Sequence, residues 1–273
     1  MTILTFESKK KDENKTDTKT NQKKENSQVN ENKENVSDKS SATSEKEEDY
    51  TQWGYDLYPE RRGSPQSTFF RKYFWDGRQN LNKIKCETNV YKCIKNSPLI
   101  NLMIAALKSS GCPFDIGRHV SCESCDSSVT GGFDAELNQI VICHNNARSQ
   151  NRIHGVLSHE LVHMFDYCRN EMDFKNIDHV ACTEIRAANL VHCSFMSAMI
   201  QGQASPFHIK KAHQDCVKNL AKASVMATRK VTDSEARLIV EKVFPMCYND
   251  LEPVGRRIRR SSDDMNRAYL EGP

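Results

Sequence analysis

His159, Glu160 and His163 stand in the run Leu157–Asp166 as His-Glu-Leu-Val-His, the pattern H-E-x-x-H. Histidines four residues apart on a helix project from one face about one turn apart, so both imidazoles can reach a single ion. A carboxylate beside the first ligand can take a proton from a water polarised by that ion and pass it to a leaving amine. The chemistry this points to is zinc-dependent peptide hydrolysis, with His159 and His163 as metal ligands and Glu160 as general base. About one chain of this length in a hundred would hold the pattern by chance. The alternative is a surface helix carrying two histidines, and the surroundings must decide between the two.

A catalytic zinc ion takes three protein ligands and keeps one position open. Glu184, within Ala181-Cys182-Thr183-Glu184-Ile185-Arg186-Ala187-Ala188, is the favoured third ligand. Its distance along the chain suits a helix that folds back on the motif helix, and Ala181, Ala187 and Ala188 would allow close approach. Asp166 competes, being three residues after His163 on the same face; otherwise it can orient a ligand histidine from behind. His179 is the third candidate. Arg186 reads as one half of a structural ion pair rather than a contact to substrate.

These side chains need elements to hold them. Apolar periodicity predicts a motif helix over Arg152–Tyr167, with further helices over Val180–Met199 and Ala212–Ala227. Another begins at Thr232, where Thr232 and Glu235 form a capping box, and Pro245 is expected to end it. Earlier, Ser97-Pro98 is a helix start for Leu99, Leu102, Met103, Ala106 and Leu107, and Gly111 a stop. Gly131-Gly132 and Asn138 mark turns. Gln139–Cys143 is a short β-branched strand. It is expected to be an edge strand beside the motif helix, where an extended substrate could add backbone hydrogen bonds; an ordinary core strand is the plainer reading, and the two can hold together. Phe69, Phe70, Tyr73, Phe74 and Trp75 should pack onto the core. The fold class is α+β and mostly helical, a zincin-like metalloprotease domain with a small sheet.

Most of the chain's low mean hydropathy, −0.70, comes from the N-terminus. Residues Glu7 to Asp49 are almost all charged or polar and predict a disordered tail over 1–49, with a single metalloprotease domain over 50–273. Lysines there are matched by acids and the net charge is +3, so no nucleic-acid partner is expected. The dense basic group Arg256, Arg257, Arg259 and Arg260 could touch anionic lipid or nucleic acid, or simply be a solvated helix end or tail. No apolar run is long enough for a membrane span, and no secretory h-region follows Met1.

Eleven cysteines are many for a reducing compartment. Disulfides and a reduced set of small core residues remain equally open from composition, and the mitochondrial intermembrane space would reconcile disulfides with the missing signal. Cys112, His119, Cys122 and Cys125 could hold a structural zinc, but their loose spacing favours disulfides. A Cys168–Cys182 bond would staple the two metal-bearing helices.

Taken together, several segments resemble the mitochondrial inner membrane metalloproteases that act as ATP synthase assembly factors. They are Gly54–Arg61 (GYDLYPER), Gly131–Asn146 (GGFDAELNQIVICHNN), the HELVHMFD run, Ala181–Leu190 (ACTEIRAANL) and Tyr248–Arg257 (YNDLEPVGRR). The resemblance implies one catalytic Zn2+ ion, with His159 and His163 as ligands and Glu160 as catalytic glutamate. It implies a peripheral inner-membrane protein on the intermembrane-space side, with its cysteines in disulfides. It also implies a client, the precursor of the mitochondrially encoded membrane subunit of the ATP synthase, to be processed and assembled. A non-proteolytic assembly chaperone is the alternative.

Overall fold

The computed structural model describes residues 57, 58, 60, 76–193, 209–255 and 270, with side chains omitted at 76–80 and 209. The polar tail, the aromatic segment 69–75 and the arginine group 256–260 lie outside the described residues.

Helix α1 (Asp76–Asn96) leads directly into α2 (Pro98–Ser109). Ser97 caps α2 by accepting from the Ile100 amide, Pro98 holds the first helical position, and Gly111 follows the helix at φ 85°, as predicted. Helix α1 has no counterpart among the predicted elements. Its buried positions, Cys86, Asn89, Val90 and Cys93, include one strongly apolar residue, while Leu81, Ile84 and Tyr91 face outward, so the apolar pattern is smeared around the helix.

After a single turn, α3 (Ile116–His119), come β1 (Val120–Glu123), β2 (Gly131–Asp134) and β3 (Gln139–Cys143). The strand order is β1-β3-β2, with β1 parallel and β2 antiparallel to β3. Two expectations are corrected here. First, β3 is the central strand, so both of its edges are already paired and it has none to offer a substrate. Its four residues Ile140–Cys143 are buried, which is what a strand between two partners and under a helix requires. Second, Gly131-Gly132 opens β2 rather than forming a turn. A Cβ on Gly131 would lie 2.3 Å from Val156 Cγ1 and 2.7 Å from the Val141 carbonyl oxygen, so glycine is there to let the motif helix press on the sheet. Asn138 does turn the chain, at φ 50°.

The motif helix is α4 (Gln150–Arg169), capped by Ser149. Helix α5 (Ile177–Ala187) follows and passes into a π-helical segment, Ala188–His192. The predicted helix over Val180–Met199 therefore keeps α-helical form only to Ala187, and 194–199 lies outside the described residues. Two anchors hold the chain where it leaves the α register: Asn189 donates to the Tyr248 carbonyl, and Cys193 is bonded to Cys216. Helices α6 (Ile209–Thr228) and α7 (Asp233–Asn249) complete the described fold. The Thr232–Glu235 capping box is present. Pro245, expected to end α7, lies inside it, because Phe244, Cys247 and Tyr248 are buried on both sides of the proline and repay one lost backbone bond. No helix among the described residues is long and apolar enough to cross a membrane.

Among the described residues, two large apolar clusters form most of the core, with a smaller third around Tyr58, Val129 and Val141. One gathers α1, α2, the sheet and α4 around Ile100, Met103, Ile140, Leu157 and Leu161. The other gathers α5, α6 and α7 around Val180, Ile185, Val217 and Val240. Helices α4 and α5 meet along the seam between them.

Ten of the eleven cysteines are paired, as Cys86–Cys122, Cys112–Cys168, Cys125–Cys143, Cys182–Cys247 and Cys193–Cys216, leaving Cys93 free and buried. The cysteines near His119 are thus in disulfides rather than a zinc site. The expected Cys168–Cys182 staple is not formed. Cys168, at the end of α4, bonds Cys112 just past α2, whereas Cys182 looks from α5 toward α7, so the two thiols serve different clusters.

Candidate metal centre

His159 and His163 project from α4 across the seam, and Glu184 meets them from α5. Glu184 Oε2 lies 3.3 Å from His159 Nε2, and Oε1 lies 3.6 Å from His163 Nε2. One ligand atom from each residue can be chosen so that all three lie within 4.8 Å of one another. Ligands about 2.0–2.1 Å from a tetrahedral ion stand roughly 3.3–3.4 Å apart, close to the two shorter spacings here.

All these side chains are buried: His159 is 3 %, His163 0 %, Glu184 1 % and Glu160 0 % exposed. The two Nε2 atoms, both Glu184 oxygens and both Glu160 oxygens lack a hydrogen-bond partner. The Glu184 contacts are near in distance but not in hydrogen-bond geometry. Buried polar atoms are nearly always satisfied. Four of these orphaned atoms, the two Nε2 atoms and the two Glu184 oxygens, face one another at one point, and imidazole and carboxylate donors so arranged fit a divalent metal such as zinc.

Electrostatics at the point are correspondingly uneven. Burial pushes the His163 imidazole well below its ordinary pKa, with the His159 charge adding to this, so the ring is neutral as a ligand must be. Burial is the largest influence on His159 and lowers it, but the Glu184 and Glu160 carboxylates together outweigh it and leave His159 raised. Burial lifts Glu160 to about 8 against the opposing pull of His159. A cation at the centre would draw Glu160 back toward its ionised form.

Asp166 is not part of the cluster. Its carboxylate accepts from the Thr183 hydroxyl at 2.7 Å, and that hydroxyl lies 2.8 Å from His163 Nδ1. Because Thr183 donates to Asp166, it accepts from His163 Nδ1–H, which leaves Nε2 free to face Glu184. Asp166 thus orients a candidate ligand from behind, through Thr183. Arg186 Nε donates to both Asp166 oxygens at 2.9 Å, forming the expected structural ion pair. The same guanidinium donates to the Asp250 and Glu252 carbonyls at 2.9 and 2.6 Å, which ties the chain after α7 to the site. His179 sits apart, its Nδ1 accepting from the Asp173 amide.

Two residues had no place in the sequence reading. Thr183 is one. The other is His192, whose Nε2 lies 2.9 Å from His159 Nδ1. A hydroxyl next to Glu184 was visible, but nothing local said that it faced His163. No periodic signal marks His192, since it lies on the π segment.

The fold and the site together define a mostly helical α+β protein built around a candidate metal-hydrolase centre at a helix–helix seam. The family model "Peptidase M76 family" matches residues 84–255, and the chain belongs to that family. It is a peptidase. It is 42 % identical over 235 residues to the mitochondrial inner membrane protease ATP23 homolog of Danio rerio, covering 85 % of this chain and 87 % of that one. It is 41 % identical over 204 residues to the Homo sapiens protein of the same description, covering 73 % and 79 % of the two chains. With the mitochondrial inner membrane protease ATP23 of Schizosaccharomyces pombe it shares 35 % identity over 170 residues, covering 62 % and 90 %. No solved structure matches the chain.

Proposed function

We propose that the chain is a zinc metalloendopeptidase of the mitochondrial intermembrane space, bound peripherally to the inner membrane. Its client is the precursor of the mitochondrially encoded ATP synthase membrane subunit, which it processes and helps to assemble. The observation that carries the hydrolytic reading is the convergence of orphaned His159, His163 and Glu184 donors at one buried point beside Glu160. His159, His163 and Glu184 would hold the zinc in a zincin-like arrangement. A zinc ion there supplies Lewis acidity to the scissile carbonyl and to the attacking water. Glu160 takes the water's proton and delivers it to the leaving amine. Burial excludes competing solvent and strengthens the field at the reacting carbonyl.

Five disulfides suit an oxidising compartment. The membrane reading rests on the relatives' names and on the outward face of α1. Leu81, Ile84 and Tyr91 stand 68 %, 58 % and 60 % exposed there, interleaved at helical spacing with exposed Lys85, Lys92 and Lys95. An apolar stripe studded with lysines is complementary to an anionic lipid surface.

The test is incubation of the zinc-loaded, oxidised chain with the detergent-solubilised subunit precursor. Loss of the propeptide with wild type and its retention with Glu160→Gln is expected. Equal processing by both, or none by a chain that holds zinc, would overturn the reading.

A further inference from the structure

His159 Nε2 is the ring atom that faces Glu184, and His159 Nδ1 points the other way, to His192 Nε2 at 2.9 Å. The two rings are 5.1 Å apart between centroids and inclined by 44°. A neutral imidazole carries one N–H. If Nε2 is to offer its lone pair to an ion, the proton must sit on Nδ1, and Nδ1 must donate. His192 Nε2 must then accept, which places the His192 proton on its own Nδ1. Both tautomers follow from one hydrogen bond.

We infer that His192 is a positioning residue for the metal ligand His159, holding that ring in the tautomer and orientation that aim Nε2 at the ion. The inference rests on the metal-centre reading above. Ligand histidines usually give their second N–H to a carboxylate, a carbonyl or water. Here one candidate ligand has that kind of support, since His163 is backed by Thr183 and Asp166. The other is backed by an imidazole from a different stretch of chain.

The π segment is what brings it there. One extra residue in a turn rotates every later side chain by roughly 100° relative to an uninterrupted α-helix. The register slip between Ala187 and Cys193 therefore decides which way residue 192 points. The slip is fastened at its end: Cys193 is bonded to Cys216, and its carbonyl lies 2.8 Å from His213 Nε2. His192 is thus presented to His159 from a braced backbone.

The test measures zinc affinity of the full, oxidised chain by competition with a chromogenic chelator, for wild type, His192→Ala, His192→Glu and His159→Ala. His192→Ala is expected to weaken zinc binding about 10–100-fold, the usual cost of losing such a partner. His192→Glu, which restores an acceptor for the Nδ1–H, is expected to stay within about threefold of wild type. Wild-type affinity in folded His192→Ala, or equal loss in His192→Glu, would overturn the inference while leaving the metal centre standing. If wild type takes up no more zinc than His159→Ala, the metal-centre reading falls and this inference with it. Should His192→Ala fail to fold, nitrogen-15 imidazole spectra of zinc-loaded wild type decide: a proton on His159 Nδ1 coupled to His192 Nε2 supports the inference, and its absence overturns it.

Discussion

Arg186 and Asp166 face each other across the seam between α5 and α4, with the guanidinium Nε 2.9 Å from both carboxylate oxygens. Both side chains are buried, at 2 % and 3 % exposure. The pair matters because the same carboxylate also receives the Thr183 hydroxyl that holds His163. Stability and the aim of a candidate ligand therefore share one group.

Arg186→Met should leave the buried Asp166 carboxylate with only the more distant Arg169, 3.7 Å away, as counter-charge, and cut the Asp250 and Glu252 carbonyls loose. A loss of about 3–5 kcal/mol is expected in denaturant unfolding. Asp166→Asn should cost less stability but weaken zinc binding about 10-fold or more, because Thr183 is then less firmly directed at His163. Equal effects of the two variants on both readouts would contradict this division.

Metal content separates the ligand set. Elemental analysis of the wild type should give close to one zinc per chain. His159→Ala, His163→Ala and Glu184→Ala should each remove it, while His179→Ala should not, since His179 is turned to the Asp173 amide. Full occupancy in Glu184→Ala would exclude it as the third ligand.

Glu160→Gln should keep the zinc and lower kcat/KM by roughly 10²–10⁴, the range for a general acid–base. It should also change the pH dependence of the metal-free protein. Burial raises Glu160 to about 8 in the fold, so folded chains retain a proton that unfolded chains give up at lower pH. The stabilisation from this group is whole below its unfolded pKa and is lost as pH rises toward about 8. Denaturant midpoints of the zinc-free protein should fall across that window in wild type and fall less in Glu160→Gln.

Thiol titration of the denatured, unreduced chain should find one reactive cysteine, and peptide mapping should place it at Cys93. Cys182→Ser with Cys247→Ser should destabilise by about 2–5 kcal/mol. It should do so with loss of zinc, since that bond ties α5, which carries Glu184, to α7.

Flotation with vesicles should show binding to bilayers containing anionic lipid and little to neutral ones, with a steep loss at raised salt. Replacing Leu81, Ile84 and Tyr91 together by serine should abolish it while peptidase activity on a soluble peptide survives. Binding that persists in this variant would place the membrane contact elsewhere.

By itself, the sequence determined what depends on short range. The i, i+4 spacing of His159 and His163 follows from one helical turn. The Ser97-Pro98 start of α2 and the Thr232–Glu235 box of α7 are local hydrogen-bond patterns, and both stand in the structure. The approach of Glu184 to the two histidines was legible because small residues around it allow two helices to come close. Packing between distant segments decided the rest. The strand order makes β3 central, although its own residues read equally well as an edge. Gly131 lies in a strand because Val156 of α4 needs its space. Pro245 stays helical because both of its sides are buried. Disulfide partners follow which face each helix presents to which cluster, information that no cysteine carries in its own neighbourhood. The supports of the candidate ligands, Thr183 with Asp166 behind His163 and His192 behind His159, depend on the angle between α4 and α5 and on a register slip after Ala187. Those are properties of the assembled core, because a hydrogen bond between groups about 20–33 residues apart exists only once tertiary packing has fixed both ends.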